Sequence, residues 1–529
     1  MEFHGKNIIG FELSAEGAET FQGYNPREGQ SFNGYFHEAT TGEVDRALNL
    51  AELATASLRQ LGAERMAKFL VTVREGILKL DEQLIEIADR ETALGTDRLR
   101  GERDRTTNQI KLFADLISEG SWVDARIDTA LPDRKPLPRP DIRRILQPIG
   151  PVAVFGASNF PLAFSVAGGD TIAALAARNP VVVKAHPAHP GTSELVGNAI
   201  QGAARACDMP EGTFSMVHSV GTATSVALVT HPHTKALAFT GSQRAGRALF
   251  DAATRRPEPI PVYAEMGSVN PVFLLPETLT TKAKDIAEGL YRSVVLGIGQ
   301  FCTSPGLVFG AENKGFENFV TRLSELFHEG VPATMLNRSI CKSFAERFKA
   351  SSNIPGVTAQ ISARTAEVAR TEGQPGLLVT DSETWLANKE LHEEVFGPST
   401  LVVRCASERE VLRCAQHLEG SLTATVHGTA DELGQNNQLT DILSSKAGRL
   451  IFNGYPTGVE VNYAMHHGGP YPATTDAKFT SVGAASIYRF ARPVCYQNFP
   501  EHLLPAELQD VNPRHVWRLV NGNLTRDAL

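Results

Sequence analysis

Cys302 stands in Gly299-Gln-Phe-Cys-Thr-Ser-Pro-Gly306, where the flanks are small or polar and the chain must turn at Gly299 and Pro305. A thiol held on such a turn can face a cleft and react as thiolate. The competing reading is a buried, inert cysteine, the usual fate of a free one. Glu265 ends the apolar stretch of Tyr263-Ala-Glu-Met-Gly267 just before a glycine turn. A carboxylate there can act as a general base, or simply cap a turn. Asn159 precedes Phe160-Pro161 and follows Val152-Ala-Val-Phe155 through Gly156-Ala-Ser. Its amide can donate to a developing oxyanion or cap a helix. Lys184 and Ser242 follow strand ends, where parallel sheets bind ligands, so Lys184 can meet a ribose hydroxyl and Ser242 a phosphate. Glu394, in Glu393-Glu-Val-Phe-Gly-Pro398, can also hold a ribose; its bland alternative is a solvated turn acid. No GxGxxG is present, so Gly241 and Gly246 form only a weak glycine signal.

The elements that must position these groups follow from the apolar pattern. Met66, Phe69, Leu70, Val73, Ile77, Leu80, Leu84 and Ile87 recur every three or four residues and predict a helix on a core. From Pro148 short apolar strands alternate with helices. Val152–Phe155, Val181–Val183, Thr213–Val217 and Ala236–Phe239 read as strands, and Thr171–Ala177, Ser193–Cys207 and Ala245–Ala253 as helices. A second alternating block, from about 271 to 452, includes strands near Val272–Leu275, Leu307–Phe309, Thr400–Val403 and Arg449–Asn453. Alternation of this length predicts an α/β fold with parallel sheets. Residues 121–144 carry Asp133-Arg-Lys-Pro-Leu-Pro-Arg-Pro140, too rich in proline for a helix, and predict an exposed hairpin or crossing segment.

Composition narrows the function classes. Of 529 residues, 42% are apolar and 21% charged, enough apolar surface to exclude a disordered chain. Fifty-one basic against 59 acidic residues give a net charge of −8, with no electrostatic case for a nucleic-acid or anionic-membrane partner. The six cysteines show neither CxxC nor zinc-ligand spacing, so no disulfide framework and no metal are expected. The start, Met1 to Phe11, has no signal-peptide pattern, and a cytoplasmic location is expected. Residues 145–169 lack charge, but their prolines and glycines argue against a membrane span.

Each site residue is ambiguous alone; their ordered set is not. Asn159-x-Pro161, Lys184, Phe239-Thr-Gly-Ser242, Glu265-x-Gly267, Gly299-Gln-x-Cys302 and Glu394-x-Phe396-Gly-Pro398 together resemble the aldehyde dehydrogenase superfamily, over roughly residues 20 to 500. Gly299–Thr303 and His467-Gly-Gly-Pro-Tyr-Pro-Ala-Thr474 look like its α-ketoglutaric semialdehyde (2,5-dioxovalerate) dehydrogenase branch, itself similar to a bacterial NADP-dependent fatty aldehyde dehydrogenase. The resemblance implies Cys302 as nucleophile, Glu265 as general base, and Asn159 with the Cys302 N–H as oxyanion donors. It implies Lys184, Thr240, Gly241, Ser242, Glu394 and Phe396 as contacts of NADP or NAD. Three departures stand out. Pro187 replaces the glutamate that follows the lysine in many NAD-preferring members, which favours NADP. His466-His-Gly-Gly-Pro470 replaces a Pro-Phe-Gly-Gly segment, and a second glutamate near it has no clear match.

The implied fold is α/β, with two parallel-sheet domains and an oligomerisation arm. Residues 1–120 and 148–265 would bind cofactor, 266–455 would form the catalytic domain, and 121–147 with 480–500 the arm. Residues 456–479 and 501–529 would cover the site, and a homodimer or homotetramer follows from the resemblance. A carboxylated aldehyde needs a cationic or multiple-donor anchor, for which Arg292, His466 and His467 are candidates. Phe160, Phe164 and Phe301 could instead line an apolar tunnel for a fatty aldehyde. The rivals are a CoA-acylating dehydrogenase, a cysteine hydrolase using His466 or His467, and a catalytically silent member of the fold.

Overall fold

Val152–Phe155, Val181–Ala185, Phe214–His218, Ala236–Thr240 and Val262–Glu265 are buried along almost their whole length, as strands covered on both faces must be. In the computed structural model, which describes residues 3–32 and 34–529, they form one parallel sheet. Asn7–Ile9 and Glu12–Ser14 extend its Phe214–His218 edge antiparallel. The chain enters this sheet centrally at Val152–Phe155 and steps outward through Val181–Ala185 and Phe214–His218. It then crosses back to Ala236–Thr240 and Val262–Glu265 on the other flank. That reversal opens a crevice between the carboxyl ends of Val152–Phe155 and Ala236–Thr240, where open α/β sheets bind ligands.

The second sheet runs in the order Thr358–Ile361, Gly376–Asp381, Ser399–Cys405, Leu307–Ala311, Val272–Leu274, Ser421–His427, Ala447–Phe452. Only Thr358–Ile361 is antiparallel to its neighbour. A third sheet joins Ala491–Gln497, Ile142–Pro148, Arg126–Asp128, Arg518–Val520 and Asn523–Thr525. Among the described residues no helix is long and apolar enough to cross a membrane.

One expectation changes. The periodic run from Met66 to Ile87 is two helices, Ala63–Lys79 and Asp81–Thr92, because Asp81 takes a φ of 44° and breaks the ladder while the apolar face continues across the break. In the third sheet Arg518–Val520 pairs with Arg126–Asp128, and Asn523–Thr525 pairs with Arg518–Val520.

Candidate active site

The loop before Cys302 is shaped by three consecutive left-handed residues, Gly297 (φ 55°), Ile298 (φ 58°) and Gly299 (φ 66°). For a β-branched residue such as Ile298 this conformation is strained, and it persists only where the surroundings impose it. They do. Gln300 is fully buried, its side-chain amide donating to the Gly297 carbonyl (3.1 Å) and its Oε1 accepting from Leu336 N–H (3.0 Å). Past the nucleophile, Asn270 Nδ2 donates to the carbonyls of Cys302 (2.8 Å) and Ser304 (2.9 Å). Gly299 has a further constraint: a Cβ there would stand 2.1 Å from the Gly397 carbonyl oxygen.

This loop brings Cys302 Sγ to 3.5 Å from His467 Nε2, and His467 Nε2 lies 3.1 Å from Glu265 Oε1. One ligand atom from each of the three residues lies within 4.8 Å of the others. Glu265 is the last residue of Val262–Glu265 and is bridged to Thr474. His467 is held from the C-terminal segment: its N–H donates to Thr480 Oγ1 (2.8 Å), and Ser481 N–H donates to its carbonyl (2.8 Å). Ser481 Oγ donates to Glu265 Oε2. Burial alone would raise the Glu265 pKa. His467, Ser481 and the Cys302 thiol outweigh it and hold the carboxyl below its ordinary range. Burial first, and then the facing Glu265 carboxylate, push the Cys302 thiol well above its own. The resting arrangement is therefore a thiol facing a carboxylate, with an imidazole touching both.

Asn159 is buried and donates from Nδ2 to the Gln300 carbonyl (3.1 Å), two residues before Cys302. A primary amide carries a second N–H for other use. The Asn159 carbonyl is itself held by Arg98 (2.8 Å). Arg98 also lies over the rings of Phe160 (5.1 Å) and Phe301 (4.6 Å). Phe164, Phe160 and Phe301 form a continuous edge-to-face row, each neighbouring pair 5.3 Å apart, and Phe164 is 6.4 Å from the His467 ring.

The cofactor candidates gather on the other side. Gly241 to Ala245 are exposed at the crevice, and Ser242 caps the 12-residue helix Gln243–Thr254 by accepting from Ala245 N–H. An exposed helix start suits a pyrophosphate. Lys184 Nζ donates to the Ser219 carbonyl (2.9 Å), and burial lowers its pKa to about 8. Glu394 and Phe396 line one wall of a cleft whose other wall includes Ser268, Gly299 and Phe301. Burial raises Glu394 to about 7. A Cβ on Gly267 would stand 2.6 Å from Glu394 Oε2, so the carboxylate reaches this wall only because Gly267 lacks one. A buried amine, an open helix start and a desolvated carboxylate, in that relation to Cys302, fit a nicotinamide dinucleotide.

Residues 13–336 match the Aldehyde dehydrogenase family, more than half of the chain. The chain belongs to the aldehyde dehydrogenase family. It is 45% identical over 527 residues to "Alpha-ketoglutaric semialdehyde dehydrogenase" of Acinetobacter baylyi, covering 99% of this chain and 100% of that one. It is 46% identical over 525 residues to "Alpha-ketoglutaric semialdehyde dehydrogenase 2" of Azospirillum brasilense, 99% of each. In fold it is similar to methylmalonate-semialdehyde dehydrogenase of Oceanimonas doudoroffii, with TM-score 0.80 at 17% identity over 94% of this chain and 99% of that one. It is also similar to an aldehyde dehydrogenase of Bacillus cereus solved with NAD+, with TM-score 0.79 at 20% identity over 94% and 96%.

The sequence-derived residues of this aldehyde dehydrogenase do not all converge. Arg292 sits on the helix Pro276–Val295, its side chain 76% exposed and 3.6 Å from Glu288; it is a surface charge and is not among the groups around Cys302. His466 packs beside Gly448 and Gly468, and only His467 reaches the cysteine. His467 is not a free anchor, because Glu265 already engages its Nε2. Sequence reasoning missed Ser481, Asn270, Arg98, Arg105 and Glu38. Glu38 accepts from Ser219 Oγ (3.2 Å) and Gly221 N–H (3.3 Å), and its charge acts on Lys184. Only the arginines left a readable signal: Arg98, Glu102 and Arg105 repeat at helical spacing, one charged stripe on Thr96–Glu119 turned toward the interior.

Proposed function

We propose that this aldehyde dehydrogenase oxidises α-ketoglutaric semialdehyde to 2-oxoglutarate, with NAD or NADP, through a thioester on Cys302. The observation that carries the chemistry is the contact chain Cys302–His467–Glu265. It gives the thiol proton a route off sulfur as Cys302 attacks the aldehyde carbon. Asn159 and the Cys302 N–H are assigned to the resulting oxyanion, and loss of one such donor typically costs about 3 kcal/mol. The nicotinamide, when bound, supplies the hydride acceptor. The thiol proton taken along this route leaves Glu265 for bulk water; Glu265, ionised again and still hydrogen-bonded by His467 and Ser481, then removes a proton from water to release the acid. A base already beside the sulfur favours water over CoA as the acyl acceptor.

Lys184, Glu394 and Phe396 would hold the two riboses, and the exposed start of Gln243–Thr254 the pyrophosphate. Pro187 removes one obstacle to a 2′-phosphate, but Glu38 leaves a carboxylate beside Lys184. A sharp NADP preference is therefore not proposed; both cofactors serve. The substrate assignment is supported by the two relatives of 45% and 46% identity, each matched end to end. The row of Phe160, Phe164 and Phe301 favours a second reading, an apolar aldehyde. We place the protein in the cytoplasm as a homodimer or homotetramer.

A panel of semialdehydes and alkanals tests the substrate. kcat/KM should be highest for α-ketoglutaric semialdehyde. If decanal or another uncharged aldehyde wins by about tenfold, a 1.4 kcal/mol reversal, the second reading replaces the first.

A further inference from the structure

A substrate that carries a carboxylate at its far end leaves that charge unpaired in an aromatic mouth unless the protein supplies a cation. Among the described residues, the charges of two arginines, Arg105 and Arg449, act on Cys302, and a third, Arg98, holds the Asn159 loop beside it. Arg98 is already committed. Its Nη2 donates to the Asn159 carbonyl and its guanidinium stacks on Phe160 and Phe301; its Nη1, also buried without an acceptor, is turned to the Gly297 backbone, so the group is already held on three sides. Arg449 is also committed, donating through Nη1 and Nη2 to the carbonyls of Pro456 and Gly458. Arg105 is not. Its guanidinium lies 5.2 Å from the Phe164 ring centroid. Its Nη1 is buried and meets no acceptor among the described residues. No carboxylate forms an ion pair with it; nearby Glu102 instead accepts from Leu162 and Ala163 N–H through Oε1.

A buried, unanswered guanidinium N–H costs stability, so a site that keeps one invites a ligand that answers it. We propose that Arg105 is the specificity anchor that receives the substrate's remote carboxylate. The proposal rests on the carboxylated-aldehyde reading above. It explains how one mouth can be both aromatic and selective for an anion: Phe160, Phe164 and Phe301 hold the short carbon chain, and Arg105 closes its charged end. The forked guanidinium can take both carboxylate oxygens, or one carboxylate oxygen and the adjacent keto oxygen. Because the charges of Arg105 and Cys302 also act on each other, the same residue could merely favour the thiolate, and that is the alternative the test must exclude.

The test compares wild type, Arg105→Gln and Arg105→Lys on α-ketoglutaric semialdehyde and on pentanal, which has the same chain length and no charge. In Arg105→Gln, kcat/KM for the semialdehyde should fall roughly 10- to 150-fold, chiefly through KM, the range for a lost hydrogen bond to a charged group. Pentanal turnover should stay near wild type, and this also reports an intact fold. Arg105→Lys, which keeps the charge but loses the fork, should fall between the two on the semialdehyde. Equal losses on both aldehydes, with a shifted pH profile for Cys302 alkylation, would assign Arg105 to the thiolate and overturn the anchor. Unchanged semialdehyde kinetics in either variant would overturn it as well. If wild type itself prefers pentanal, the substrate reading fails first and the anchor fails with it. If Arg105→Gln does not fold, Arg105→Lys decides on the same two-substrate comparison.

Discussion

Cys302, His467 and Glu265 divide the work of one proton path, so their variants should fail differently. Cys302→Ala should abolish oxidation and leave cofactor affinity unchanged, which equilibrium titration checks. His467→Gln removes the ring that touches both sulfur and carboxylate. We expect kcat to drop about 100-fold, the low end for a lost acid–base group, and the pH profile of Cys302 alkylation to move upward. An unmoved profile would mean that the 3.5 Å contact does not govern the thiol. Glu394 carries a pH prediction. Its folded pKa, raised by burial to about 7, means that the neutral form is favoured in the empty cleft. The stability this confers is full below the unfolded carboxyl value and is lost as pH rises through about 7. Ribose hydroxyls need the ionised acceptor, so cofactor Kd should weaken as pH falls below about 7, and Glu394→Gln should flatten that dependence. A flat wild-type profile would remove Glu394 from the ribose site.

At the scale of elements, the site is three loops locked together through glycines. Gly299 admits the Gly397 carbonyl and Gly267 admits the Glu394 carboxylate, which explains physically why Gln300-x-Cys302, Glu265-x-Gly267 and Glu394-x-Phe396-Gly-Pro398 occur together. That co-occurrence was legible as a pattern, but its cause was not, since close backbone approach leaves no trace beyond a glycine. Asn270 shows the other limit. It is fully buried at φ 45°, ties the Cys302 and Ser304 carbonyls to Val272–Leu274 and accepts from Thr423 Oγ1 (3.0 Å). Nothing local distinguishes it from an ordinary turn asparagine. Asn270→Ala should strand two buried carbonyls and lower unfolding free energy by about 2–4 kcal/mol, read by urea titration. Loss of activity with unchanged stability would instead give Asn270 a direct chemical role. The strand Ser421–His427 escaped sequence reading for a related reason: Ser421, Thr423, Thr425 and His427 look solvated, yet every residue of the strand is buried in the sheet.

At the scale of the molecule, the parallel sheets were readable because buried strands are short apolar runs between helices, whereas the third sheet was readable only in part: prolines marked the 121–144 hairpin, the resemblance alone joined 480–500 to it, and the strands Arg518–Val520 and Asn523–Thr525 were not seen. Its strands come from residues 126–148 and 491–525, and pairing over so many residues leaves no periodic signal. Around it Leu137, Leu503, Val511, Trp517 and Leu524 are exposed apolar side chains. We therefore expect a homo-oligomer built through this sheet. Sedimentation velocity should show a dimer or larger, and Trp517→Glu should lower the assembly state; a monomeric wild type would refute that use of the surface. The central claim is that an acyl group passes through Cys302 on its way to water. The most direct measurement is rapid-quench mass spectrometry of Glu265→Gln mixed with α-ketoglutaric semialdehyde and NAD or NADP. The account predicts a fast burst of reduced cofactor, stoichiometric with enzyme, together with a 2-oxoglutaryl adduct on the Cys302 peptide that decays slowly. Steady turnover at the wild-type rate with Cys302 unmodified would contradict it.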